Sequence, residues 1–197
     1  MTKNGREGSQ GRAKRADARR NEEALLGAAA DVFVHSGVNA PVRAIAAEAG
    51  VGTGTIYRHF PTRSALISAV YRHQVQECAE AGPRLLRESA TAQEALRAWM
   101  DLFVDFLVTK HGLADTLTSD SPGAGDLHAY FLGRLIPVCD RLLQAAAREQ
   151  ELGADISAYE LMRGVGNLCI IGSEEGCYHP RPLVQLLLSG LFAPRVR

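Results

Sequence analysis

The 197-residue chain has only four cysteines, one tryptophan and three methionines, and only three of its 22 basic residues are lysine. Cys78, Cys139, Cys169 and Cys177 form no C-x-x-C pair, so neither a disulfide framework nor a zinc knuckle is expected. The N-terminus carries positive charge without an apolar stretch behind it, which predicts no secretory signal and reduced thiols in a cytoplasmic protein. No apolar run reaches the roughly 18 residues of a membrane span, so no membrane partner is expected. Catalytic motifs are missing too. There is no G-x-S-x-G, no H-E-x-x-H and no dinucleotide fingerprint. The VGTGT run at 51–55 has the glycines of a phosphate loop, but no strand precedes it and no Gly-Lys-Ser/Thr follows. We therefore expect no enzyme, no cofactor and no bound metal. Net charge is absent as well, with 22 Lys and Arg against 22 Asp and Glu.

That neutrality hides an asymmetry. Residues 1–63 carry ten basic and six acidic side chains, and residues 64–197 carry twelve and sixteen. Residues 1–20 alone hold seven basic against two acidic. A basic N-terminal part points to an anionic partner, nucleic acid above all. Hydrophobic content of 46% is ordinary for a globular chain of this length, which can bury a core without staples.

Sustained period-two alternation is also lacking, so the fold class expected is all-α. Residues 1–16 are polar, basic and glycine-rich, and read as a flexible arm. A helix follows from about 17 to Ser36, with Leu25, Ala29 and Val32 on one stripe and Gly37 as its stop. Pro41 opens a second helix and Gly50 closes it. A third, from about Thr53 to Phe60, ends at Pro61. Two short helices joined by a tight glycine-bearing turn make a helix-turn-helix unit, here residues 17–62. Thr62 then caps a fourth helix from Arg63 to about Ala81, with Gly82-Pro83 predicted to break it. Thr91–Glu94 and Ser157–Glu160 read as capping boxes for later helices. Turn-rich residues at 112–125 predict a loop, and 172–182 a linker.

At 100° per residue, Ile56 and Phe60 share the apolar side of the third helix. Gly54 and Arg58 then point away from the core, with Thr53 and Tyr57 on one flank and Thr55 and His59 on the other. Such a helix suits the major groove. Hydroxyl and imidazole groups meet the phosphate walls, a guanidinium meets guanine, and Gly54 allows the backbone close to the bases. Arg58 is the expected base reader and Arg43 a second candidate. Thr55, Tyr57, His59 and Arg63 are assigned to phosphate. Each residue alone is compatible with a solvated helix face; the cluster carries the reading.

The stretch VRAIAAEAGVGTGTIYRHFPTRSALISAV (42–70) resembles the DNA-binding domain of the TetR family of bacterial repressors. The resemblance rests on the Ile45–Val51 turn, the Thr55–Phe60 helix and the Pro-Thr-Arg that follows. It implies an all-helical homodimer with a C-terminal effector domain, a repressor released by a small molecule from a double-stranded, pseudo-palindromic operator. It also places Arg43, Thr53, Thr55, Tyr57, Arg58, His59 and Arg63 where members of the family contact DNA. Gly52 stands where many have a capping Ser or Thr, and Thr53 replaces a frequent Lys.

Residues 63–197 are expected to bind the effector and to dimerise. Trp99, Phe103, Phe106, Leu107, Tyr130 and Arg134 are candidate effector contacts, although aromatics at helical spacing also build plain core. Leu161, Val165 and Leu168 on one late helix, and Leu183, Leu186, Leu187 and Leu191 on the last, are candidates for the dimer interface; filling the monomer core is the alternative. This half faintly resembles SbtR-like effector domains. Two other functional classes stay open at this point. One is a helical enzyme or metalloprotein built on Cys169, Cys177 and His179. The other is a helical dimer acting through protein partners. Removing residues 1–15 is expected to weaken binding to every DNA sequence. It should also flatten the salt dependence, by a slope of about 0.9 for each phosphate that the arm neutralises, measured by titration at several salt concentrations.

Overall fold

The computed structural model describes residues 5–114, 124–149, 152–169 and 178–193. These form eight α-helices and, among the described residues, no strand. They are α1 (Gly5–Ser36), α2 (Val42–Glu48), α3 (Thr53–His59), α4 (Arg63–Glu88), α5 (Ala92–Ala114), α6 (Ala124–Glu149), α7 (Ala158–Leu168) and α8 (Pro180–Leu191). Among the described residues no helix is long and apolar enough to cross a membrane. Cys177, much of the 112–125 loop and much of the 172–182 linker lie outside the described residues.

The chain divides into compact units of residues 1–73 and 74–197, so the division falls inside α4 and not at its start. Leu66, Ile67 and Val70, in the first turns of α4, are fully buried. Their apolar face belongs to the N-terminal unit, and this moves the boundary past the expected residue 62. A second departure lies at the N-terminus. Composition predicts an arm without structure, yet α1 reaches back to Gly5. Once the 17–36 segment is helical, each further residue adds one hydrogen bond without a new nucleation cost, and Arg, Ala and Lys extend helices well.

In the N-terminal unit, Leu25, Leu26, Ala29, Ala30 and Phe33 of α1 are buried with Ile45 and Ala46 of α2 and Ile56 of α3. Gly37 (φ +73°) and Gly50 (φ +64°) adopt the left-handed backbone that the two turns need. Gly37 N–H closes α1 on the Phe33 carbonyl at 3.0 Å. Thr62 accepts from Ala65 N–H at 3.1 Å, which starts α4 as the sequence predicts.

In the C-terminal unit, α5 packs against α6, α7 and α8. The buried residues of α6 (Leu127, Phe131, Leu135, Cys139, Leu142, Leu143, Ala146) trace a single face. Both predicted caps form, with a difference. Ser157 and Glu160 make a reciprocal box, whose hydrogen bonds hold the Glu160 carboxyl below its usual range. Thr91 accepts from Glu94 N–H at 3.1 Å, but the Glu94 carboxylate reaches Ala90 N–H instead. Glu149 supplies a further acceptor to this helix start, 2.7 Å from Ala92 N–H.

Gly82-Pro83 does not break α4, which continues through Pro83 to Glu88. Proline removes one N–H, but packing overrides that loss. Trp99, fully buried on α5, donates its indole N–H to the Cys78 carbonyl at 2.8 Å, and Gly82 lies directly under Val138 of α6. A methyl group at Gly82 would overlap the γ-methyl of Val138, whose branched side chain cannot swing aside freely. Gly82→Ala is therefore expected to destabilise the unit by about 1–3 kcal/mol of overpacking. Set against a roughly 1 kcal/mol gain in helix propensity, the net loss is up to about 2 kcal/mol. A lower midpoint in denaturant unfolding checks this.

Candidate nucleic-acid interface and effector cavity

The exposed side of α3 follows from what lies behind it. Ile56 and Phe60 are buried, and every other residue of the helix except half-buried Thr55 is exposed. Thr53, Gly54, Tyr57, Arg58 and His59 thus share the solvent face, and Tyr57 is 54% exposed despite its ring. Open space surrounds the position a side chain would take at Gly54. No acidic residue lies on α3, and Arg58 and His59 occupy its last turn, where cations favour the helix dipole. Arg58 makes no hydrogen bond or ion pair among the described residues, and neither does Arg43, exposed on α2. The helix thus presents an uncommitted guanidinium flanked by hydroxyl and imidazole groups, the chemistry that reads base edges and grips phosphate.

Arg63 departs from its assignment to phosphate. Its guanidinium turns back onto the α1–α2 turn, donating to the carbonyls of Val38 and of Ala40, the latter at 2.7 Å. The group is half-buried, and its Nε–H has no hydrogen-bond partner among the described residues. Val38 and Ala40 are themselves buried, so their carbonyls need a donor from within the protein. Arg63 provides it and ties the start of α4 to the turn that positions α2.

In the C-terminal unit, a cavity of about 150 Å³ opens among three helices. Phe103 and Leu107 come from α5, and His128, Phe131 and Leu132 from α6. Tyr159, Met162, Arg163, Gly166 and Asn167 come from α7. Of the six effector candidates, Phe103 and Leu107 line it. Trp99 and Phe106 are buried in the core behind it, Trp99 stacked on Phe103 at 5.6 Å and Phe106 on Phe131 at 5.5 Å. Tyr130 does not line it, and Arg134 is exposed and donates to Gln76. The polar members of the lining escape a reading of the sequence alone. Apart from His128 of α6 they lie on α7, where Tyr159, Arg163 and Asn167 recur every four residues along one face, a signal present in the sequence but hidden by the apolar stripe beside it.

The candidate interface residues also divide. Leu161, Val165 and Leu191 are buried within their own unit and Leu168 is half-buried, so this stripe builds the monomer core. Leu183, Leu186 and Leu187 are exposed on α8, Leu186 at 69%, together with Tyr159 on α7. Helix α8 is held on α5 from its other side, where Gln185 bridges Arg97 at 2.9 Å and Asp101 at 3.1 Å. Burial pushes the Cys78 and Cys139 thiols up to about 12 and Cys169 to about 11, which leaves all three protonated and poorly nucleophilic.

The model for bacterial regulatory proteins of the tetR family matches residues 25–70. A solved TetR transcriptional regulator from Streptomyces coelicolor is 34% identical, over 87% of this chain and 98% of that one, with a TM-score of 0.73. A TetR transcription regulatory protein from Mycobacterium vanbaalenii is 31% identical, over 91% and 99%, with a TM-score of 0.68. The transcriptional activator FasR of Mycolicibacterium smegmatis is 35% identical over 92 residues, 46% of this chain. The chain spans less than half the length of the curated relatives it matches.

Arg63→Ala strands two carbonyls of buried residues and should destabilise the N-terminal unit by about 1.5–3 kcal/mol. Arg63→Lys should recover only part of this, lacking the planar fork. Thermal unfolding without DNA decides the point, since removing a side chain that only grips phosphate would leave stability unchanged.

Proposed function

The chain belongs to the TetR family of transcriptional regulators, and we propose that it acts as a homodimeric repressor, released from a pseudo-palindromic operator by a small-molecule effector. The observation that carries this reading is the exposed, uncommitted face of α3. In the proposed complex α3 lies in the major groove. Arg58 reads a guanine by two parallel hydrogen bonds and Arg43 reaches a neighbouring base. Thr53, Thr55, Tyr57 and His59 hold the phosphates on either side. Gly54 lets the helix approach closely. Two copies joined through Leu183, Leu186 and Leu187 present two such helices, so half-sites about one helical turn apart, or a multiple of it, are required.

Release follows from differential affinity of the effector for two arrangements of the dimer. A ligand against Phe103 presses on the stacked Trp99, whose indole N–H holds the Cys78 carbonyl of α4. Helix α4 is continuous from Cys78 back to Arg63, which is fastened to the α1–α2 turn. A shift of α4 thereby alters the separation of the two α3 helices. The Mycolicibacterium smegmatis relative carries the name of an activator, so the test reads transcription as well as binding.

Selection of bound sequences from random DNA should return an inverted repeat, and Arg58→Ala should lose about 1–3 kcal/mol of discrimination at one base position per half-site. A uniform loss on all sequences would make Arg58 a phosphate contact. Recovery of no preferred sequence would overturn the reading. Transcription from a promoter carrying the selected repeat should fall when the protein is present.

A further inference from the structure

We propose that the cavity of the C-terminal unit binds a compact organic carboxylate, with its apolar body against the wall formed by Phe103, Leu107 and Phe131 and its anionic head on Arg163. This names the ligand class of the effector site proposed above and rests on that reading.

Three observations carry it. The first is charge. The lining includes Arg163 and His128 but no Asp or Glu. Arg163 makes no hydrogen bond or ion pair among the described residues, so its guanidinium keeps its full donor capacity for a ligand. The second is placement. Tyr159 and Asn167 stand one turn before and one turn after Arg163 on the same face of α7. A hydroxyl and an amide thus flank the guanidinium where the second oxygen of a carboxylate would need donors. Between them Gly166 leaves open space, with nothing within 4 Å of where a side chain would begin. The third is size. A cavity near 150 Å³ with a largely apolar lining accommodates a body about as large as benzene.

Other ligand classes fit less well. Aromatic faces attract cations, but a cationic head here would meet Arg163 with no carboxylate to balance it. A neutral head would take solvent from Arg163 without supplying a counter-charge.

The test uses three molecules that share one body: 3-phenylpropionate, 3-phenylpropanol and 3-phenylpropylammonium. Each is titrated calorimetrically into the full-length protein without DNA. The carboxylate should bind about tenfold or more tighter than the alcohol, as one charge-assisted pair implies. The ammonium should bind more weakly than both. Arg163→Gln should bring the carboxylate down to the affinity of the alcohol while leaving the alcohol unchanged. Arg163 is exposed and holds no structural bond, so this variant is expected to fold, and circular dichroism verifies it. Equal or tighter binding of the alcohol, retention of the preference in Arg163→Gln, or binding of none of the three would overturn the proposal. Operator release is measured separately. Arg163-dependent binding that leaves DNA affinity unchanged would refute the effector reading and retain the carboxylate site. Release of DNA by the carboxylate that survives Arg163→Gln would refute the site and retain the effector reading.

Discussion

Burial of Ile56 and Phe60 behind α3 is the constraint on which the presentation of the helix depends. Each side chain contributes on the order of 1.5–3 kcal/mol by leaving water, more than any exposed hydrogen bond on the helix can offer. The orientation of a seven-residue helix, too short to be stable alone, is therefore decided from its apolar side. Arg58 faces solvent because Ile56 and Phe60, two residues before and after it and so on the opposite side of the helix, face inward. The chemistry of the solvent face is left free to vary, since no residue on it is needed to hold the helix in place.

The same logic runs through α4. Its first turns are anchored by Leu66, Ile67, Val70 and the Arg63 clamp, while beyond residue 73 it is held by the Trp99 hydrogen bond and the close seat of Gly82. Neither Pro83 nor the division between units interrupts it. Helix α4 is thus anchored within each unit by buried, directional contacts. The aromatic stack from Phe103 to Trp99 sets one of those contacts beside the cavity wall.

Much of the local structure was legible because its causes are local. Gly37 and Gly50 close their helices with positive φ, Thr62 and Ser157 cap theirs, and the wheel of α3 places every side chain on the side it occupies. The misplaced assignments share one cause. Arg63 has the same position and charge whether it meets phosphate or a carbonyl. Leu161 and Leu183 are equally apolar, yet one is buried in its own unit and the other is exposed. Trp99 and Phe103 lie on the same stripe four residues apart, and only one reaches the cavity.

By itself the sequence determined the all-helical class, the caps at Thr62 and Ser157, the helix-turn-helix and the outward face of α3, since periodicity and turn chemistry act over a few residues, while the passage of α4 through Pro83 was set by packing. Only the tertiary structure decided which apolar stripe is core, where the cavity opens and what Arg63 holds. Those outcomes depend on which distant surfaces meet. A buried carbonyl or a missing neighbour becomes visible only when elements far apart in the chain have packed.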